Sequence, residues 1–342
     1  MQNIFFKKSI NKPFIIAEIG QAHEGSFGLA HSFIDSIADA GADAVKFQCH
    51  LSEFESSSYD KFRIKSEYMQ DKTRLDYWKR MEFTLDQWIS LKKHAEKKGL
   101  IFLCSPFSTQ AVDILNKINI ELFKIGSGEV FNYEFINYIA KFKKPIILSS
   151  GLVNSYELNK SIKIIEKHHK KIAILYCVSK YPSSPEDIDI NNITILKKKF
   201  PKYTIGYSDH TGSIYPSIAS LSLGSKIIEV HVTYDRNMFG FDSTSSINFE
   251  ELKELVKANN ITHKLLTINK NNKNNNSSMK KLFGRSYFLK EDIKENQIIL
   301  DKHLILKKPA IGIKQDEKKK ILGRRVRKNL KKGSLLSTKD LF

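Results

Sequence analysis

From residue 14 to about residue 266 the chain alternates short apolar, β-branched runs with longer amphipathic stretches. Eight of the short runs have the length and composition of buried strands: residues 14–19, 44–49, 100–104, 122–125, 145–149, 172–177, 204–207 and 226–231. The intervening stretches follow a helical period. Between 29 and 40, for instance, apolar residues stand at 29, 30, 33, 34, 37 and 38, which places them on one face of a helix. The other predicted helices are 88–98, 111–115, 135–142, 157–167, 193–200, 215–223 and 249–266. Eight such alternations fit a closed (β/α)8 barrel over residues 1–268 better than an open doubly wound sheet.

Two segments break the rhythm. Residues 50–85 form a long polar and aromatic insertion after the second strand, with Tyr59, Tyr68, Tyr77 and Trp78 in it. A loop of that length inside a compact domain is usually functional or disordered. Residues 269–280 open with a run of Asn and Lys that can bury nothing, and they are predicted to be a linker. Beyond it, residues 281–342 carry short apolar runs among lysines. The turn-bearing segments starting at Lys290 and Lys328 resemble one another, so a small, mostly β domain is expected.

Composition narrows the classes. With 342 residues, 41% of them hydrophobic and 27% charged, the chain can build a sizeable core and is not disordered. No apolar run approaches the roughly 20 residues of a membrane helix, and no signal peptide is legible. Three cysteines, Cys49, Cys104 and Cys177, cannot supply a disulfide framework. The expectation is a soluble, reduced, cytoplasmic protein. The net charge of +19 is uneven, since residues 281–342 hold 18 basic against 7 acidic residues. Solvated lysine-rich faces account for this, and binding to nucleic acid or another polyanion is the alternative. Neither a P-loop nor a Gly-rich dinucleotide fingerprint occurs.

Candidate chemistry collects at the predicted strand ends, where barrels of this kind carry their sites. Glu18 ends the first strand, Lys46 and Gln48 the second, and Lys124 followed by Gly126-Ser-Gly-Glu129 the fourth. Ser149 ends the fifth, Ser179 and Tyr181 follow the sixth, and Ser208-Asp-His210 and Glu229-Val-His231 complete the set. Lys46 and Lys124 with Ser hydroxyls and Gly-flanked amides suit a phosphate and a carboxylate together. Lysines neutralising core carboxylates are the alternative. His210 and His231, on adjacent strands, suit an open Mn²⁺, Mg²⁺ or Co²⁺ site more than a closed zinc site, unless they are hydrogen-bonded core residues. His23, His50, His94, His168, His169 and His303 show no partner in the sequence and are read mostly as surface residues; the cysteines are read as inert buried thiols.

Together these segments resemble the sialic acid synthase (nonulosonate synthase) family. The matching pieces are Ile16-Ala-Glu-Ile-Gly20, Ala40-Gly-Ala-Asp-Ala-Val-Lys-Phe-Gln48, Ser105-Pro-Phe107 and Lys124-Ile-Gly-Ser-Gly-Glu129. They continue with Leu148-Ser-Ser-Gly151, Gly206-Tyr-Ser-Asp-His-Thr211 and Asp235-Arg-Asn-Met238 before Gly240 and Asp242. Lys308-Pro-Ala-Ile-Gly-Ile313 and Leu322-Gly-Arg-Arg-Val-Arg327 resemble the family's antifreeze-like C-terminal domain. The resemblance implies condensation of phosphoenolpyruvate with an N-acylated mannosamine-type aldose to a nine-carbon 2-keto sugar acid, with release of phosphate. It implies that Lys46, Ser105, Lys124, Ser127 and Ser179 hold phosphoenolpyruvate. Glu18 and Glu129 would manage the water and its proton, and Gln48, Tyr181, Ser208, Asp209, Asp242 and Lys308 would address the sugar. A divalent metal, Mn²⁺ or else Mg²⁺ or Co²⁺, would sit on His210 and His231. A domain-swapped homodimer is also implied, with residues 281–342 of one chain capping the other's site.

Departures cluster around the acceptor. The family's Asn-His-Asn-Gly is Ala22-His23-Glu24-Gly25 here, its Glu-Lys-His is Glu229-Val230-His231, and its Gly-Pro-Asp-His is Gly240-Phe241-Asp242-Ser243. Lys308 stands where the family has Arg, and an ammonium cannot reproduce a planar guanidinium fork. The acceptor is therefore open between N-acetylmannosamine and 6-deoxy-2,4-diacetamido hexoses. Two rival readings stay open as well: a related barrel acting on an aldose phosphate, and a non-catalytic, basic polyanion-binding protein.

Overall fold

The computed structural model describes residues 12–64, 67–267 and 277–342. Eight parallel strands close into a barrel in chain order: β1 Phe14–Gly20, β2 Ala44–Cys49, β3 Ile101–Pro106, β4 Phe123–Ile125, β5 Ile146–Ser149, β6 Ile172–Cys177, β7 Thr204–Asp209 and β8 Ile227–His231. Closure is made by β1 pairing with β8, with Glu18 in register with His231. All eight predicted strands are present. The largest differences are β3 and β7, each running two residues past its predicted end; in β7 this is because Ser208 and Asp209 pair although they are polar.

Strand parity decides which side chain goes where. One set of positions, including Ile16, Ala44, Leu103, Leu122, Ile147, Ala173, Leu175 and Ile227, forms an apolar cluster of its own that fills the barrel. The opposite parity, including Ile15, Ala17, Val45, Phe47, Cys104, Ile146, Ile174 and Ile228, joins the larger cluster shared with the helices. All eight predicted helices are found, as Phe27–Ala40, Leu85–Lys97, Thr109–Lys117, Tyr133–Ala140, Ser155–Glu166, Asn192–Lys199, Tyr215–Ser222 and Phe249–Thr267. Several start one turn earlier than the apolar pattern suggested, because polar caps set the true starts. Thr84 with Gln87 and Asn154 with Glu157 form reciprocal capping boxes.

The insertion after β2 is only partly a loop. It contains short helices Ser52–Glu55 and Arg74–Met81, the second capped by Thr73 and Asp76. Its Tyr77, Trp78 and Met81 are buried as a separate small cluster with Phe62 and Phe241.

The chain divides into two compact units, Met1–Thr267 and Ile268–Phe342. Most of the predicted linker lies outside the described residues, but its end does not: Ser277–Phe283 is helical. In the second unit β9 (Ser286–Leu289) pairs antiparallel with β10 (Leu304–Lys307). The two similar turn segments meet there: Ile293 and Leu330 exchange backbone hydrogen bonds of 2.8 Å in both directions. Eleven buried apolar residues, among them Ile299, Val326 and Leu336, give this unit its own core. Among the described residues no helix is long and apolar enough to cross a membrane.

Candidate active site

The inward parity that is apolar along the middle of the barrel turns polar two residues further along each strand. Glu18 follows Ile16, Lys46 follows Ala44, Ser105 follows Leu103 and Lys124 follows Leu122; Ser149 follows Ile147, and Glu229 follows Ile227. Register then sets neighbours. Glu18 lies beside Lys46, Gln48 beside Ser105, and Ser208 beside Glu229. The result is a cavity of about 360 Å³ at the C-terminal mouth of the barrel.

Four buried charges form a row across its floor. Lys124 is 3.2 Å from Glu229, Glu229 is 3.7 Å from Lys46, and Lys46 is ion-paired with Glu18. Each lysine is thus matched by a carboxylate, which is what lets these charges be buried at all. Burial works against the Lys46 ammonium, but Glu18 and Glu229 outweigh it and raise its pKa above the ordinary lysine value. Burial pushes Lys124 down; Glu229 opposes the shift and Lys46 reinforces it. Burial would raise Glu229, but Lys124 and Lys46 hold it well below the usual carboxylate range. Hydrogen bonds fix the rest. Lys46 donates to Ser105 Oγ (3.3 Å), Ser208 Oγ to Glu229 (2.9 Å) and Gln48 Nε2 to Glu18 (3.0 Å), while Ser127 and Ser179 join hydroxyls at 2.8 Å.

His210 and His231 face each other with ring centroids 5.4 Å apart. His210 Nδ1 donates to the Val178 carbonyl (2.7 Å), which fixes the tautomer and leaves Nε2 with its lone pair. Burial first, and then His231, push His210 down to about 3, so the ring is neutral at ordinary pH. His231 Nδ1 is buried without a hydrogen-bond partner and lies 3.8 Å from Asp242. Two imidazoles, one held by a backbone carbonyl and one with an orphaned nitrogen, fit a divalent metal ion. They supply two protein ligands only: among the described residues no group of three or more His, Cys, Asp or Glu is placed to hold one.

Of the residues singled out from the sequence, the cavity gathers Lys46, Gln48, Ser105, Lys124, Ser127, Ser179, Tyr181, Ser208, His210 and His231. Glu18 lies behind Lys46 and Gln48 and does not line it. Asp242 is buried against Arg63 (2.7 Å) rather than on the cavity wall. Asp209 has the outward parity, and its carboxylate accepts from Thr211 and Ser217 (2.8 and 2.7 Å). Glu129 sits on the turn after β4 and accepts from Asn132 (3.1 Å), also outside the lining. Lys308 belongs to the second unit, with its ammonium 5.3 Å from the Phe283 ring.

Other lining residues were not singled out. Arg63 and Arg74 come from the insertion, and Phe107 follows β3. For Arg63 and Arg74 the only sequence signal was the length of the insertion, while Phe107 closes the Ser105-Pro-Phe107 segment. The reading of the remaining histidines needs correction, since His23, His50 and His303 are buried. His50 is stacked between Trp78 and Phe107 (3.9 and 4.4 Å) and bonded to Gln48 (3.0 Å) and Glu55 (2.6 Å). Its stacking partners Trp78 and Phe107 lie far away in sequence, so spacing could not reveal them. The three cysteines are free and buried, and burial raises all three thiols.

Comparison with known proteins agrees with this geometry. The NeuB family model matches residues 33–271, and the SAF domain model matches residues 284–341. The N,N'-diacetyllegionaminic acid synthase of Campylobacter jejuni is 34% identical over 96% of this chain and 99% of its own. The human N-acetylneuraminate-9-phosphate synthase is 34% identical over 74% of this chain and 71% of its own. Among solved structures, the N-acetylneuraminic acid synthetase of Leptospira borgpetersenii, in complex with citrate, superposes with a TM-score of 0.70 at 31% identity. The match covers 79% of this chain and 90% of that one. The chain belongs to the NeuB family and carries a SAF domain at its C-terminal end.

Proposed function

We propose that this protein condenses phosphoenolpyruvate with an N-acylated mannosamine-type aldose, giving a nine-carbon 2-keto sugar acid and phosphate. One observation carries this reading: a single cavity joins a lysine and serine wall, suited to a small phosphorylated acid, to a pair of histidines suited to an aldehyde oxygen. Relatives named for legionaminic, pseudaminic and N-acetylneuraminate-9-phosphate synthesis support the same chemistry.

Lys46, Lys124, Ser105, Ser127 and Ser179 bind the phosphate and carboxylate of the donor. Because both ammoniums are already matched by Glu18 and Glu229, they are held in place before the substrate arrives, which limits the reorganisation binding requires. His210 and His231 would be the protein ligands of a divalent ion, Mn²⁺ or else Mg²⁺ or Co²⁺, which when bound would supply Lewis acidity toward the aldehyde. In the reaction, C3 of phosphoenolpyruvate bonds to the aldehyde carbon, whose oxygen takes up a proton. Water adds at C2 with loss of one proton, and the resulting C2 hydroxyl gives up the other as the C2–O bond to phosphate breaks and the ketone forms. Glu229, which faces the cavity and is held ionised by Lys124 and Lys46, orients the attacking water in place of Glu129. Lys124, whose ammonium is destabilised by burial, is the proton source for the leaving phosphate. Glu18 acts behind them by fixing Lys46 and Gln48.

The acceptor is a neutral or phosphorylated N-acyl hexose, and the relatives' names divide on this point. One makes an N,N'-diacetyl product and another a 9-phosphate. The SAF unit of a second copy of the chain, with Lys308, is proposed as the lid. The test is phosphate release from phosphoenolpyruvate across a panel of N-acyl hexoses with Mn²⁺ present, together with the product mass. Release that requires one of these acceptors, with a mass equal to aldose plus pyruvate, is expected. No release with any acceptor, or release that ignores the acceptor, overturns the reading.

A further inference from the structure

Beside the barrel cavity lies a second, much smaller one of about 40 Å³. Its walls are aromatic: Phe62, Tyr77 and Trp78 from the insertion after β2, and Phe241 from the segment after β8. The two cavities share Arg63 and Arg74 as a common rim. The rings pack as a set, with Phe62 stacked on Phe241 at 5.7 Å and Tyr77 edge-on to Phe241 at 5.0 Å. Tyr77 is anchored through its hydroxyl, which donates to Gln21 (2.8 Å).

The two rim guanidiniums set the charge. Arg63 pairs with Asp242 at 2.7 Å, donates to the Phe241 carbonyl at 2.9 Å and lies over the Tyr181 ring at 4.4 Å. Arg74 is 3.3 Å from Asp60, donates to the Lys61 carbonyl and lies over Trp78 at 5.2 Å. Each positive charge therefore has its own carboxylate. A phosphate entering this pocket would meet four aromatic faces, whose negative π-clouds disfavour an anion, whereas an acylamino group would place its methyl on the rings and its carbonyl at the guanidinium rim.

Resting on the condensation proposed above, we propose that this aromatic pocket binds a second, uncharged N-acyl group of the acceptor sugar. The insertion after β2 then selects doubly N-acylated hexoses over singly acylated and phosphorylated ones. Arg63 links the pocket to the reaction: its pairing with Asp242 reaches the histidine pair, since Asp242 is 3.8 Å from His231.

The experiment titrates the full-length protein with three hexoses in a calorimeter. One has a single N-acyl group, the second adds another acylamino group, and the third adds a phosphate to the first. An apolar group seated in a fitted pocket shifts affinity roughly tenfold or more, so the doubly acylated sugar should bind tighter by that factor. The phosphorylated sugar should bind no tighter than the singly acylated one. Phe62→Ala and, separately, Phe241→Ala should each remove the preference, with folding checked by circular dichroism. Phe62 and Phe241 are only half-buried, and two variants guard against one failing to fold. The assignment is overturned if the native protein lacks the preference, binds none of the three, or binds the phosphorylated sugar tightest. It is overturned too if the preference survives in both variants. Phosphate release is read in parallel: a binding preference without turnover rejects the condensation and keeps the pocket, while turnover without a preference rejects the pocket alone.

Discussion

The two sides of the barrel mouth are built differently. The donor wall, with Lys46, Ser105, Lys124, Ser149 and Glu229, stands on strands, and its positions follow from strand parity and register. The acceptor side, with Arg63, Arg74, Tyr77, Trp78 and Phe241, stands on an insertion and a loop. Strands fix side chains to a fraction of an ångström through their ladders, and loops can be exchanged without disturbing them. A barrel can thus keep one donor and vary the acceptor. Of the departures from the family pattern, Phe241 lines this side and Glu24 pairs with Arg80 of the insertion at 3.0 Å, whereas Val230 stands on β8.

The sharpest break of this comparison is at the seam between the two sides. Replacing His210 by Ala, or chelating divalent metal from the native protein, should reduce phosphate release to background; Mn²⁺, Co²⁺ or Mg²⁺ should restore the chelated enzyme but not the variant. Full activity in metal-free native protein would remove the histidines from the role given to them. Next in size is the donor wall. Lys124→Ala should weaken phosphoenolpyruvate binding by about 1.5–3 kcal/mol, roughly ten- to a hundredfold, with little change for the acceptor. Equal losses for both substrates, measured by titration of each, would erase the division into two sides.

The donor wall was legible in the sequence, and the acceptor side was not. Lys46 and Lys124 sit two positions beyond apolar inward residues, so any reader who placed the strands had also placed the lysines. Asp209 shows the limit of that approach: it is next to Ser208 and His210, yet the same parity turns it away from the cavity. Glu129 looked like part of the phosphate turn, but its place depends on how the chain leaves β4, which no periodicity encodes. Arg63, Trp78 and His50 act through partners far away in sequence: Arg63 reaches residue 242, and His50 is sandwiched by residues 78 and 107. Only the length of the insertion hinted at them.

A test of the lid bears on the acceptor side as well. Mixing His210→Ala with a chain lacking residues 281–342, under conditions that exchange subunits, should restore part of the activity that neither variant has alone. Mixed dimers without activity, or a fully active native monomer, would exclude a lid supplied by a second chain.

The smallest effect expected is one of stability. His23 is buried, its Nδ1 accepts from the Gly25 amide (3.0 Å), and burial first, then His50 and Arg80, lower it from 6.5 to about 3. Between those values the unfolded chain binds a proton that the folded chain refuses, so stability falls as pH drops from about 6.5 toward 3, by at most ~1.4 kcal/mol per pH unit for this one group. Urea midpoints between pH 7.5 and 5 should therefore decline more steeply for the native protein than for His23→Gln. Parallel lines would mean that His23 takes up a proton in the folded state.

The central claim, carbon–carbon bond formation followed by loss of phosphate through C–O cleavage, is tested most directly with isotopically labelled water. The native, metal-loaded protein is given phosphoenolpyruvate and an N-acyl hexose in ¹⁸O-water, and the released phosphate is analysed by mass spectrometry. Water that adds at C2 leaves the bridging oxygen with phosphorus, so the phosphate should carry no label and should form only when the hexose is present. Labelled phosphate, or phosphate formed without the hexose, would mean that water attacks phosphorus and that the protein is not a condensing enzyme.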